Sequence, residues 1–210
     1  MQVSVSNMAD LKWEALNTAP SSTPSNMRKP FTITTPPKVD IWRRLTSNDF
    51  NAPAIGTRLP LSSFQSISVT VSGPWKTKFD QGGLLLAFPS SSEGSLKNSQ
   101  WIKAGIEYFE GEPKIGVVGT DRYSDWSILP MFEAGSKARL EAAVEDDSIW
   151  VYAVVKGQRQ PLREVKWVFD GKGNDAEIWV GVYAAKPTPD EGDEGKGLEV
   201  SFESVKVERR

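Results

Sequence analysis

The 210-residue chain contains no cysteine and no histidine. Without cysteine there is no disulfide, no thiolate nucleophile and no thiolate metal ligand. Without histidine the usual general base, the Ser-His-Asp arrangement and the commonest metal ligand are excluded. Chemistry is left to carboxylates, lysine, tyrosine, arginine and hydroxyl groups, and no metal site or cofactor is expected. Charge of one sign is also lacking: 25 Lys plus Arg face 27 Asp plus Glu, a formal net charge of -2. That is not the basic footprint of a nucleic-acid binder, so no nucleic-acid partner is expected. No run approaches the roughly 18 apolar residues of a membrane span, and no membrane association is expected. The opening MQVSVSNM lacks the basic start and apolar run of a signal peptide. With the missing cysteines, this gives the expectation of a cytoplasmic protein.

Helical periodicity is scarce too. No long window free of Gly and Pro places apolar residues at i, i+3, i+4 and i+7. What recurs is alternation with a period of two, punctuated by Gly, Pro, Ser and Asp clusters. It predicts strands near Phe31–Thr35, Phe64–Gly73, Gly82–Phe88, Trp101–Phe109, Lys114–Thr120 and Ser124–Leu129. Others follow near Lys137–Glu145, Ser148–Lys156, Arg163–Phe169, Glu177–Ala185 and Leu198–Val207. Hairpin joins are expected around Glu110-Gly111, Asp146-Asp147 and Lys156-Gly157. The fold class is therefore all-β, an antiparallel two-sheet β-sandwich or jelly roll. Residues 11–210 are expected to form one domain after a flexible segment 1–10. Residues 17–24, 90–98 and 187–197 read as polar loops, the first following a small apolar element with Leu11, Trp13 and Leu16. The acidic run 187–197 does not match the calcium-loop pattern and reads as a solvated loop.

The alternation also exposes an anomaly. In WIKAGIEYF, Ile102, Ala104, Ile106 and Tyr108 form one face, and Trp101, Lys103, Gly105, Glu107 and Phe109 the other. Elsewhere Trp179, Gly181 and Tyr183 oppose an aliphatic set, Asp40 and Trp42 oppose Val39 and Ile41, and Trp150 and Tyr152 oppose Ile149 and Val151. Repeated aromatics away from the aliphatic core mark either a binding face or a minor core under folded-over loops. On the binding reading, rings take the C–H face of a sugar, polar groups fix its orientation, and glycine lets the ligand approach the backbone. Lys103 and Glu107 lie four residues apart, roughly 13–14 Å along a strand, too far for a direct pair. Asp125 and Trp126 are neighbours and point to opposite faces of a regular strand. Our reading puts Trp126 inward and Asp125 outward, with the reverse as the alternative. Asp80, before Gln81, either shapes a turn or reaches a ligand.

The stretches Asp40–Arg43, Asp80–Leu84, Trp101–Glu107 and Ser124–Ser127 come in an order that resembles the DUF1349 family, also named after a yeast regulation-of-enolase protein. Gly181–Ala184 and the closing Leu198–Val207 strand fit as well, so the resemblance runs from about Leu11 to Glu208. It implies a concanavalin A-like lectin/glucanase fold with ligands on the concave side of a curved sheet. The E-x-D-x-x-E or E-x-D-x-E strand of glucanases of this fold is missing. So is the histidine that follows the Asp-Ile-Trp region in many bacterial relatives.

Two main functions follow as expectations. One is binding of a carbohydrate or small polar ligand on an aromatic-lined concave face, with a regulatory part in metabolism. Its candidate contacts are Asp40, Trp42, Asp80, Gln81, Trp101, Lys103, Glu107, Asp125, Trp126, Trp179 and Tyr183. The alternative is a cofactor-free enzyme, glycoside hydrolase-like or an isomerase, cyclase or lyase, using Glu107, Asp125 and Lys103 in acid/base chemistry. A protein partner, a metabolic enzyme, is suggested by the family name alone.

Overall fold

A computed structural model describes residues 11–19, 23–89, 96–173 and 175–210. The segment 1–10 expected to be flexible lies outside the described residues, as do parts of the two polar loops, 20–22 and 90–95. Alternating apolar residues build two large antiparallel sheets. The first has the order β1 (Trp13–Leu16), β5 (Ala54–Pro60), β14 (Glu177–Ala185), β7 (Gln81–Phe88), β8 (Gln100–Phe109), β9 (Glu112–Thr120), β10 (Ser124–Pro130). The second has the order β13 (Gln158–Val165), β12 (Ser148–Val155), β11 (Lys137–Glu145), β6 (Phe64–Ser72), β15 (Leu198–Arg209), β2 (Phe31–Thr35). A small hairpin, β3 (Ile41–Arg44) with β4 (Ser47–Phe50), stands apart from both. The expected antiparallel sandwich is thus what the chain forms.

Local chemistry fixes the joins. Glu110 and Gly111 between β8 and β9 have φ of 53° and 84°, and Lys156 and Gly157 between β12 and β13 have 50° and 77°. Two successive positive φ values match the twist of the flanking strands, which is why tight hairpins use them. The small apolar element near Trp13 is an edge strand paired with β5. The strand expected over Arg163–Phe169 ends earlier, at Val165, because Lys166 turns into the α region and Trp167–Phe169 form a 3-10 turn.

Ile102, Ala104 and Ile106 of β8 join Leu84, Leu86, Val117, Val180 and Val182 in the inter-sheet core, facing Ile67, Val69, Leu140 and Val151 of the other sheet. Two glycines let the centre of the first sheet close up. Gly83 of β7 lies opposite Gly105 of β8. A Cβ on Gly105 would sit 2.1 Å from the Gly82 carbonyl oxygen, and one on Gly83 2.1 Å from that of Ala104. Both contacts are with backbone, which cannot rotate away. Gly105→Ala is therefore expected to destabilise the fold by about 3 kcal/mol, at the upper end of overpacking costs. Gly157→Ala, with positive φ but open space around it, is expected to cost only about 1 kcal/mol. Urea unfolding midpoints of the two variants check the contrast.

Candidate functional site

The ladder places the outer-face residues in rows. Gln81 pairs with Glu107, Gly83 with Gly105, Leu85 with Lys103 and Ala87 with Trp101. On the other side of β7, Trp179 pairs with Ala87 and Tyr183 with Gly83. Beyond β8, Lys103 pairs with Val118 and Glu107 with Lys114, and Val118 in turn pairs with Trp126 of β10. Since directly paired residues share a face, Trp126 lies on the same face as Lys103 and Glu107.

Half of this face is roofed. Ile41, Ala52, Leu85, Ala87, Leu96, Trp101, Val118, Trp179 and Tyr183 form a second apolar cluster, against which Trp42, Phe50 and Trp126 pack. The β3–β4 hairpin is strapped down by Arg43, whose Nη2 donates to the carbonyls of Lys97 at 2.9 Å and Ser99 at 2.8 Å. Trp101 and Trp179, expected as ligand platforms, are both fully buried here. The Trp179 ring lies over Gly56 and its Nε1 donates to Glu14 Oε1 at 2.9 Å. For these two rings the minor-core reading applies.

Lys103 is buried under the same roof, 2% exposed, and a buried ammonium requires partners. Its Nζ donates to Gln81 Oε1 at 2.7 Å and Asp40 Oδ1 at 3.3 Å. The rings of Trp42, Trp101 and Tyr183 lie with centroids 5.6, 5.9 and 5.8 Å from it, close enough for cation–π attraction. Tyr183 also donates its hydroxyl to Gln81 Oε1 at 3.1 Å. Burial, reinforced by Glu107 and Asp40, raises that phenol well above its ordinary pKa.

Beside this network the roof stops, leaving a narrow recess lined by Lys103, Gly105, Glu107, Gly116, Val118 and Tyr183. Its empty space, open mouth included, is about 160 Å³. Nearly all of that space belongs to the mouth, and the interior has no room for a water-sized group, so a ligand would rest over the mouth and not inside it. Glu107 is 9% exposed, and no hydrogen bond reaches its carboxyl among the described residues. Burial pushes that carboxyl up from 4.5 to about 7, with Lys103 pulling it down and Asp40 pushing it up. Trp126 Nε1 is buried and has no hydrogen-bond partner. The position of a Cβ on Gly116 would be 3.2 Å from Glu107 Oε2 and 3.3 Å from Trp126 Nε1. An acceptor-donor pair without partners thus converges on the space left by a missing side chain. Gly116 provides the gap first assigned to Gly105, whose own missing side chain accommodates β7.

Aromatic rings frame the recess. Trp126 meets Phe109 edge-on at 5.2 Å, Phe79 at 6.3 Å and Trp42 at 6.4 Å. Phe79 was not among the expected site residues. It lies before a strand, outside any alternation, and adopts φ of 70°, a strained value for a bulky side chain. Its N–H donates to the Tyr108 carbonyl at 2.7 Å and its carbonyl accepts from Gln81 Nε2 at 3.2 Å, which hold it there. The only sequence signal was the neighbouring turn around Asp80.

Several expected residues lie elsewhere. Asp125 pairs with Gly119 and so points away from the recess, exposed, while Trp126 points towards it. The inward-Trp126, outward-Asp125 assignment is reversed with respect to this face, and Asp125 shares no pocket with Glu107. Asp80 is fully buried. Its carboxylate accepts the N–H groups of Lys76 at 3.2 Å and Thr77 at 3.0 Å and pairs with Lys186 Nζ at 2.9 Å, so it shapes the turn. Lys186 also pairs with Asp190 at 2.6 Å, which Lys76 reaches at the same distance. Burial works against the Lys186 charge, but its bonds to Asp190 and Asp80 outweigh burial and raise its pKa. Hydrogen bonds from Lys186, Lys76 and Thr77 hold Asp190 well below the usual carboxylate range. Trp150 and Tyr152 stack on each other at 6.1 Å on the second sheet, away from the recess. Among the described residues no group of His, Cys, Asp or Glu is placed to hold a metal ion, and no helix is long and apolar enough to cross a membrane.

Comparison with known proteins agrees with this architecture. The family described as "Protein of unknown function (DUF1349)" matches residues 16–210. An uncharacterized protein of Emericella nidulans is 39% identical over 180 residues, covering 85% of this chain and 86% of that protein. Regulation of enolase protein 1 of Saccharomyces cerevisiae is 27% identical over 96 residues, 46% of this chain and 44% of the yeast protein. Among solved structures, a functionally unknown S. cerevisiae protein superposes with TM-score 0.72 at 23% identity, over 94% of this chain and 96% of its own. The GH43 protein BlXynB of Bacillus licheniformis gives TM-score 0.59 at 17% identity, over 85% of this chain and 32% of its own. At these identities the structural likeness is one of fold, the glucanase-like β-sandwich.

Two measurements check the electrostatics. Glu107 has a folded pKa above its unfolded one, so its contribution to stability is full below about pH 4.5 and is lost as pH rises through about 7. Relative to wild type, Glu107→Gln should gain about 3 kcal/mol between roughly pH 4 and pH 8 in denaturant unfolding at each pH. Lys186→Met strips Asp80 of its cation and should cost about 3–5 kcal/mol. Lys38→Met, at an exposed pair 3.9 Å from Glu194, should leave the unfolding midpoint unchanged.

Proposed function

This chain belongs to the DUF1349 family, and we propose that it binds a carbohydrate or similar small polar ligand on the outer face of its seven-stranded sheet. The observation that carries the reading is the convergence of two unpartnered groups, Trp126 Nε1 and the Glu107 carboxyl, over Gly116. A ligand hydroxyl at the mouth of the recess would exchange a hydrogen bond with the Glu107 carboxyl, and a small turn of the Trp126 ring would bring its indole N–H to the same hydroxyl. Near neutral pH that carboxyl offers either a donor or an acceptor. The partly exposed rings of Trp42 and Trp126 supply apolar surface for the C–H side of the same ligand, and the stacked Phe79–Phe109 pair supports Trp126 from the side. Lys103, Asp40, Gln81 and Tyr183 satisfy one another and act as the rigid floor. The name of the yeast relative, regulation of enolase, supports a regulatory part in metabolism with a metabolic enzyme as protein partner.

A second reading rests on Glu107 alone. A carboxyl with pKa about 7 beside a recess is poised for proton transfer, which favours a cofactor-free isomerase, cyclase or lyase with Glu107 as general acid or base. The two-carboxylate version with Asp125 is not supported, because Asp125 faces the other way.

Titration of tryptophan fluorescence with a panel of neutral mono- and oligosaccharides tests the binding reading, and NMR of the same mixtures reads turnover. We expect saturable binding that Gly116→Ala, whose Cβ would press on the Glu107 carboxyl and the Trp126 indole, and Trp126→Phe, which removes only the N–H and part of the ring, each weaken by at least about tenfold. Their unfolding midpoints should stay near wild type. Silence of the whole panel, or wild-type affinity in both variants, overturns it. Product formation abolished by Glu107→Gln would favour the enzyme instead.

A further inference from the structure

The edge strand β10 has a second side. Asp125 and Ser127 point away from the recess, towards the gap between the edges of the two sheets. Arg163 of β13, the edge strand of the second sheet, spans that gap. Its Nη1 donates to the Asp125 carbonyl at 2.8 Å and its Nη2 donates to Ser127 Oγ. Next to this strut lies a cleft walled by Asp121, Tyr123, Asp125, Arg163 and Trp167, with Gly119 at its base. Its cavity volume is about 280 Å³. A Cβ on Gly119 would meet only the Arg163 guanidinium at 3.5 Å and the Trp167 ring at 3.9 Å, so the floor is clear.

We propose that this lateral cleft is a second binding site, distinct from the recess, and that it takes a neutral saccharide. The walls combine the groups such a ligand uses. Tyr123 is 45% exposed, with its ring open to solvent. Trp167 is half-buried and held edge-on against Phe88 at 5.7 Å and 82°, so its free face has a fixed orientation. The Asp125 carboxylate is exposed and has no partner among the described residues. Asp121 has one oxygen held by Gln100 Nε2 at 2.5 Å and a second one to offer. Arg163 retains N–H groups after its two structural bonds. Hydroxyl groups can donate to the carboxylates and accept from the guanidinium while the rings cover the apolar side.

Charge selects against anions. Asp121, Asp125 and Glu164 line the cleft against Arg163 and Lys166. Lys166 is already paired with Asp147 at 2.6 Å and Glu164 at 3.3 Å. The three carboxylates outnumber the two cations of the lining by one, so an anionic ligand meets a small excess of negative charge even with Arg163 present, whereas a neutral polyol meets no such penalty.

Titration of the isotope-labelled full chain with laminaritriose, xylotriose and cellotriose, followed by amide and indole NMR shifts, tests this. The expected result with at least one trisaccharide is saturable movement of the Gly119 amide and the Trp167 indole. Asp125→Asn and Tyr123→Ala, both at exposed positions, should weaken it by about tenfold, and Trp126→Phe should leave it unchanged. Movement confined to the Trp126 indole would support the recess and overturn the cleft. Absence of any saturable shift at Gly119 and Trp167 would overturn it too, as would wild-type affinity in both cleft variants. Tighter binding of trigalacturonate or putrescine than of every neutral sugar would overturn the assigned ligand class.

Discussion

The seven-stranded sheet carries an apolar cluster on each face, and the rest of the structure answers to that constraint. Water tolerates one such face no better than the other, so each needs a cover. The six-stranded sheet covers the first with interlocking aliphatic side chains. Among the described residues the second face is covered by the hairpin, by Leu16 and Val39, and by the segments near Ala52 and Leu96, which together seal Trp101, Trp179 and Leu85. The recess lies where this cover ends. Its aromatic frame is the unsealed margin of the second core.

A lysine under such a cover has one stable solution. Lys103 cannot reach water, so Asp40 arrives from the start of the hairpin, Gln81 from β7 and Tyr183 from β14 to satisfy it. Burial and pairing therefore fix the hairpin position as firmly as apolar contact does. Glu107, two rows along the same strand, has no such partner, and its pKa is raised instead. The two charges first noticed together on one strand have opposite fates. One is committed to structure, and the other is left to meet whatever enters.

Much of this was legible in the sequence where a rule of period two applies. The strands, the positive-φ hairpins at Glu110-Gly111 and Lys156-Gly157, and the shared face of Lys103 and Glu107 follow from alternation and turn chemistry. The Asp125/Trp126 choice did not, because neighbours always face opposite ways and only pairing with β9 shows which way is which. Phe79 escaped because its φ of 70° belongs to a turn outside any repeat. Asp80 looked equally suited to turn or ligand, and burial beside Lys186 decided for the turn.

The sequence by itself determined the all-β sandwich, which residues share a face, and the absence of cysteine and histidine chemistry. These depend on local geometry and composition, which a linear pattern encodes. Only the tertiary structure decided which aromatics are sealed and which are open, which glycine leaves a gap, and that Trp126 rather than Asp125 stands beside Glu107. Those outcomes depend on where distant strands pair and where the hairpin lands, and both are set by long-range register and by the pairing that a buried lysine requires.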